Sequence, residues 1–271
     1  MNDSCEIYAR DLLKRIGIDK PPIRPSSVAA EMNIPIKELD AGNSYEGCLI
    51  RCGDSFGIMI NTAIKYESRK SFTIAHEIGH AEIPHHKDHE YQCVSESIGM
   101  GSGKSLEREA NEFAAELLMP ASFIIEQAHN SEIGLSLIKS IADKCETSLT
   151  SSAIRYIKYC PDIAVLVVSE NGKIKYCIRS DEMQNRKLFY YDIKAGLNRL
   201  SLAYDFINAD GSVPNHKEDE QQIDLSAWFP NLDYGKYESF ESAIALPNFN
   251  QTISLVWLKE KYDDEGDEDS Y

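Results

Sequence analysis

Apolar and polar positions alternate along the chain with two different periods, and the change of period divides it. Over 4–16, Ile7, Tyr8, Leu12, Leu13 and Ile16 fall at helical spacing and predict an amphipathic helix with these as core candidates. Pro21-Pro22 ends it, and Ser26 or Ser27 is placed to cap a short second helix that runs through Met32. Ile34-Pro35-Ile36 reads as extended. Two short strands are expected at 47–51 and 56–60, joined by Cys52-Gly53-Asp54-Ser55, which has turn composition. Helical spacing returns over 70–83 and stops before Pro84. Residues 84–105 read as a loop, and a long helix is expected from 106 to 119, ending at Pro120. Further helices fit 121–129, 134–143 and 150–159. From Pro161 the pattern turns to strands: 163–168, then Asn171-Gly172 as a hairpin turn, then 174–178, with a late strand at 253–258.

The helix over 70–83 carries Phe72-Thr-Ile-Ala-His76-Glu77-Ile-Gly-His80, an HExxH pattern. Histidines four apart share one helix face, one turn from each other. Two imidazoles so placed can hold one zinc ion at about 2.0–2.1 Å, and the glutamate beside the first is placed to act as general base toward water. The bland alternative is a solvated helix with two ordinary histidines. Ile74, Ala75, Ile78, Ala81 and Ile83 argue against it, because they make the surroundings of the polar trio apolar. Gly79 costs a helix about 1 kcal/mol relative to alanine, which a close backbone approach there would explain.

Composition narrows the partners. Hydrophobic residues make up 42% of 271, enough for a core and too many for global disorder. A net charge of −16 disfavours general binding to nucleic acid or anionic lipid. Neither a membrane-spanning run nor a signal peptide is visible, and the seven cysteines form no CxxC pair. Reduced thiols in a cytoplasmic protein are the simplest expectation. The last stretch, 259–271, is acidic and poor in apolar residues and reads as a disordered tail.

A catalytic zinc needs three protein ligands and an open position. The third is expected from the helix Leu106-Glu107-Arg108-Glu109-Ala110-Asn111-Glu112-Phe113-Ala114-Ala115-Glu116-Leu117-Leu118-Met119-Pro120, where Glu107 in the first turn can project toward the metal and Asn111 lies one turn on. Together the two segments resemble the ImmA/IrrE metallo-endopeptidases, over roughly residues 25–160. The resemblance implies a gluzincin-like zinc peptidase with His76, His80 and Glu107 as ligands, Glu77 as the base, and Asn111 orienting His76 or His80 through the free ring N–H. Glu109 is the alternative ligand; Glu107 is preferred because the family's ligand precedes the Ala-Asn pair by three positions. Later, Ser226-Ala-Trp-Phe229 and Leu255-Val-Trp-Leu258 are similar to segments of prophage-type members.

The resulting expectation is an α+β protein. A zincin-like peptidase domain with a short antiparallel sheet and helices occupies 1–160. A smaller β-rich docking or sensing domain follows at 161–258, then the tail. The resemblance implies site-specific cleavage of a regulatory protein, a basic helix-turn-helix repressor of a mobile element or stress response, without direct nucleic-acid or membrane binding. The alternative is a zinc-bound sensor that acts by protein binding without turnover. Tyr91, His89 and Tyr156 are candidate oxyanion donors. His85-His86-Lys87-Asp88-His89 is a candidate second metal site, though a polar loop flanking the cleft is the better reading. Cys93 reads as an idle thiol. Residues 134–159 mimic a DNA-reading helix pair, but with only Lys139, Lys144, Arg155 and Lys158 as cations they read better as packing helices.

Overall fold

A computed structural model describes residues 4–42, 44–53, 55–86, 102–189 and 194–261. The chain divides into two compact units. One comprises 1–126 with 139–152, the other 127–138 with 153–271. No helix among the described residues is long and apolar enough to cross a membrane.

The first unit opens with α1 (Ser4–Ile16), as its periodicity predicts. Its buried stripe is Cys5, Ala9, Leu12 and Leu13, whereas Ile7 is exposed. Ile7 lies two positions from Cys5 and so points to a different side of the helix. α2 (Pro25–Glu31) begins one residue before the serines expected to cap it. Pro25 takes the first helical position, where its missing N–H and fixed φ cost nothing, and no side chain caps the end. β1 (Ile36–Leu39), β2 (Gly47–Cys52) and β3 (Ser55–Asn61) form a sheet in the order β1-β3-β2. β2 and β3 pair antiparallel with Leu49 opposite Ile58, and the extended segment after Asn33 joins them as β1, parallel to β3.

α3 (Glu67–Glu82) is the centre of this unit. Every residue from Thr73 to Ala81 is buried. It packs against α2, β2, β3 and α4 (Ser102–Leu118). It ends at Ile83, whose extended backbone is what the following Pro84 favours. α4 buries Ala110, Phe113, Ala114, Leu117 and Leu118. The buried Glu116 receives Arg10 of α1 at 3.1 Å and the amide of Ala121 at 3.2 Å, which ties α1 to α4 and to the start of α5 (Ala121–His129). α6 (Leu135–Cys145) and α7 (Leu149–Tyr159) follow where helical spacing predicts them. Arg155, one of the four cations of that segment, is buried, with its guanidinium 4.8 Å from the centre of the Tyr159 ring.

The second unit is built on a five-stranded antiparallel sheet, order β5-β4-β8-β7-β6. Its strands are β4 (Ile163–Glu170), β5 (Lys173–Arg179), β6 (Glu218–Ile223), β7 (Tyr237–Leu246) and β8 (Gln251–Glu260). Asn171 and Gly172 both have positive φ, 52° and 70°, as the hairpin dipeptide predicts. β4 and β8 are buried on both faces, which explains their continuous apolar runs. One face packs on the connection that includes α8 (Asp181–Asn185), through Met183, Phe189, Leu202, Phe206 and Trp228. Within that core lies a buried carboxylate, Glu241. It accepts from the amides of Leu202 (2.9 Å) and Ala203 (3.3 Å), from Trp228 Nε1 (2.9 Å) and from Ser254 Oγ (2.7 Å). The Ser226–Phe229 segment thus acts as core: Ala227, Trp228 and Phe229 are all buried. The acidic stretch beyond Lys261 lies outside the described residues.

Candidate metal centre

Helical spacing puts His76 and His80 one above the other on α3, and the crossing of α4 brings Glu107 to them. His76 Nε2 and His80 Nε2 lie 3.0 Å apart. Glu107 Oε2 is 3.1 Å from His76 Nε2, and Glu107 Oε1 is 3.4 Å from His80 Nε2. Ligand atoms about 2.0–2.1 Å from one tetrahedral ion are about 3.3 Å from each other. The contacts of 3.0, 3.1 and 3.4 Å are close to that spacing, the last two being made by different oxygens of Glu107. Two neutral imidazoles and a carboxylate are a donor set for a borderline-soft divalent cation, so the residues fit a metal ion.

The close approach of the two helices depends on Gly79. A methyl group there would lie 3.0 to 3.3 Å from three atoms of Phe113, tighter than ordinary packing. The glycine's conformational cost is thus offset by letting α4 reach α3. On the other side of α3, a methyl group on Gly47 of β2 would come within 2.5 Å of Thr73 Cγ2 and 3.1 Å of Glu77 Oε1. β2 accordingly passes directly over Glu77 with no side chain between them.

Burial and pairing set the electrostatics. Burial alone would lower the His76 pKa, but the hydrogen bond to Glu107 and the charges of Glu77 and Glu107 raise it overall. His80 is pushed down to about 4 by burial, against the pull of Glu107. Burial would raise Glu107, yet its hydrogen bonds with the two histidines hold it well below the usual carboxylate range. The site therefore keeps an ionised carboxylate between two imidazoles. Glu77 is fully buried, next to His76 in the chain and one turn before His80.

Asn111, one turn after Glu107, places Oδ1 2.9 Å from His76 Nδ1. Glu109 takes a different place from Glu107: it meets His85 Nε2 at 2.5 Å and His86 Nε2 at 3.1 Å. Its other oxygen accepts from Ser105 at 3.1 Å. The two histidine partners, with Ser105, bring Glu109 down to about 2 against a burial effect that would raise it. His85, His86 and Glu109 form a second cluster whose ligand atoms all lie within 4.8 Å of one another. His86 belongs to a short 3-10 turn, Pro84–His86, and is fully buried. Its contact with His80 escaped sequence reasoning. The tight turn after Ile83 that folds the chain back under His80 is not set by spacing in the sequence.

Of the expected oxyanion donors, His89 and Tyr91 lie outside the described residues, as do Asp88 and Cys93. Tyr156 is fully buried in the second unit, where its hydroxyl accepts from Cys160 Sγ at 3.5 Å. Burial pushes its phenol up and Cys160 up to about 12. Cys48, Cys52, Cys145 and Cys177 are also free thiols.

Residues 30–155 match the model of a peptidase family described as the IrrE N-terminal-like domain. No curated protein matches the chain. Among solved structures, a Mycobacterium tuberculosis transcriptional regulator has the same fold, with a TM-score of 0.59 over 93% of this chain and 76% of that one. The two are 11% identical, so the likeness speaks for the fold alone. The matched segment takes in His76, Glu77, His80, Glu107 and Asn111, and residues 30–155 thus form a domain of the ImmA/IrrE metallopeptidase type.

Proposed function

We propose that the protein is a zinc-dependent, site-specific endopeptidase that cleaves a regulatory protein. The observation that carries this reading is the convergence of Glu107 of α4 on His76 and His80, with ligand atoms within 4.8 Å of one another, beside Glu77 on the same helix as the histidines. When bound there, zinc supplies a Lewis acid that polarises a carbonyl and acidifies water. Glu77 takes the proton from the attacking water and returns it to the leaving amine. His76 and Glu107 keep their donor atoms aimed by mutual contact, and Asn111 fixes the His76 ring. Among the described residues β2 is an edge strand, and its edge can take an extended substrate segment by strand addition, with Gly47 letting the added strand lie close to Glu77. Selectivity then comes from docking, for which residues 161–258 are the proposed surface. The net charge of −16 favours a basic partner such as a helix-turn-helix repressor, so association weakens as salt rises.

The test is cleavage of a repressor encoded beside this protein, co-expressed with it and read by mass spectrometry of the fragments. Glu77→Gln should keep its zinc while cleavage falls about 10²–10⁴-fold. Undiminished cleavage by that variant, or cleavage that survives chelation, would overturn the reading. A second reading is a zinc-bound regulator that acts by binding without turnover. A fold shared with a protein called a transcriptional regulator is compatible with it. Under it, partner binding would be as strong in Glu77→Gln as in the wild type and no fragment would appear from either.

A further inference from the structure

The remote ring nitrogens of the two histidines on α3 decide what His86 and Glu109 do. Binding a cation through Nε2 uses that lone pair, so the proton of a neutral imidazole must sit on Nδ1. For His76 this N–H points at Asn111 Oδ1, 2.9 Å away. For His80 it points at a second imidazole: His80 Nδ1 and His86 Nδ1 are 3.0 Å apart. Two nitrogens in hydrogen-bond contact share one proton, so His80 donates and His86 accepts. A neutral His86 then carries its own proton on Nε2, which faces Glu109 Oε2 at 3.1 Å. Each step fixes the next, and the series runs in one direction from His80 through His86 to Glu109.

The same geometry weighs against a second metal at His85, His86 and Glu109, close as their ligand atoms are. A cation there would need the His86 Nε2 lone pair. With Nδ1 already accepting from His80, His86 would then hold no proton at all and would have to be an imidazolate. We propose that His86 and Glu109 form a directed histidine–carboxylate relay that orients His80 and fixes its tautomer for metal binding, in place of forming a second metal site. His85 and Ser105 donate to the same carboxylate and hold it in position. This inference rests on the reading of His76, His80 and Glu107 as the metal centre. His86 and Glu109 are positioning residues, since they reach the centre only through His80.

The experiment is a zinc titration of the full chain against a chelating competitor, with metal counted by mass spectrometry. The wild type should bind one zinc. His86→Ala and Glu109→Ala should each bind one zinc with affinity lowered about 10–100-fold. Glu109→Gln, which keeps an acceptor oxygen, should recover most of that loss. Glu109 sits near the surface, so its variants report even where His86→Ala fails to fold. Long-range nitrogen–proton NMR of the zinc-loaded protein supplies a readout that a merely structural role would not move. It should find His80 protonated on Nδ1 and His86 on Nε2. Two zinc ions in the wild type with one left in Glu109→Ala would overturn the proposal, as would His86 protonated on Nδ1. One zinc with unchanged affinity in every variant would overturn it alone, whereas a wild type that binds no zinc would remove the underlying reading as well.

Discussion

The two units each hold a carboxylate among polar neighbours, Glu241 fully buried and Glu107 partly exposed, and they complete its surroundings differently. Glu241 in the second unit meets four donors, two of them backbone amides, so the protein itself satisfies the group. Glu107 in the first meets two imidazoles whose nitrogens also face each other at 3.0 Å. Nitrogen lone pairs aimed at one point are a poor hydrogen-bonding arrangement and a good ligating one. A carboxylate among polar neighbours thus makes a closed structural joint in one unit and a site with capacity for a ligand in the other.

Four substitutions test that contrast, the largest effect first. Glu107→Ala should take the zinc content of purified protein from one per chain to well below it, whereas Glu109→Ala should remain loaded under the same conditions. Equal retention, measured by metal analysis, would mean that the carboxylate was chosen wrongly. Glu241→Ala should leave zinc content unchanged and lower unfolding stability by about 3 kcal/mol, because three buried N–H donors lose their acceptor. Urea unfolding checks this. Burial raises the Glu241 carboxyl above its ordinary value in spite of its donors, so the folded state holds that proton more tightly than the unfolded. That contribution to stability is complete below the unfolded pKa and is lost as pH rises through the folded one, and the slope should vanish in the variant. Gly79→Ala should be the mildest. Crowding against Phe113 costs about 1–3 kcal/mol and better helix propensity returns about 1, so the melting temperature should fall by a few degrees. A rise would show that the contact between α3 and α4 has slack.

What the sequence made legible follows from the range of each signal. His76, Glu77 and His80 lie within five residues on one helix, where 3.6-residue geometry alone brings the histidines together. Glu107 needed a second helix and a resemblance to choose it over Glu109. Only the placement of α4 gives each glutamate its own histidine pair. The relay through His86 was not read, because it depends on the direction of a turn after Ile83. Likewise Ile7 was assigned to the core of α1 although the stripe through Ala9 leaves it outside, since a half-apolar helix offers more than one face until its neighbours are known. Glu241 gave no sign either: a lone acidic residue in a strand reads as solvent-facing unless its donors, up to 39 positions away, are in view.

The order of strands in the second unit also bears on how the chain acquires its structure during synthesis. β4 pairs with β5 across a two-residue turn, and β7 with β8 across a short one, so both hairpins can form as soon as each has emerged. The sheet, however, is joined through β4 and β8, with Ile163 opposite Leu258. Contacts of such long sequence separation form slowly, because the intervening chain must first be closed into a loop. Until residue 258 is translated, β4 has one bare edge, rich in valine and leucine, of the kind that pairs with other chains. The step that most exposes this protein to misassembly is therefore the wait for its own eighth strand, and slowing translation between β5 and β8 should raise the aggregated fraction.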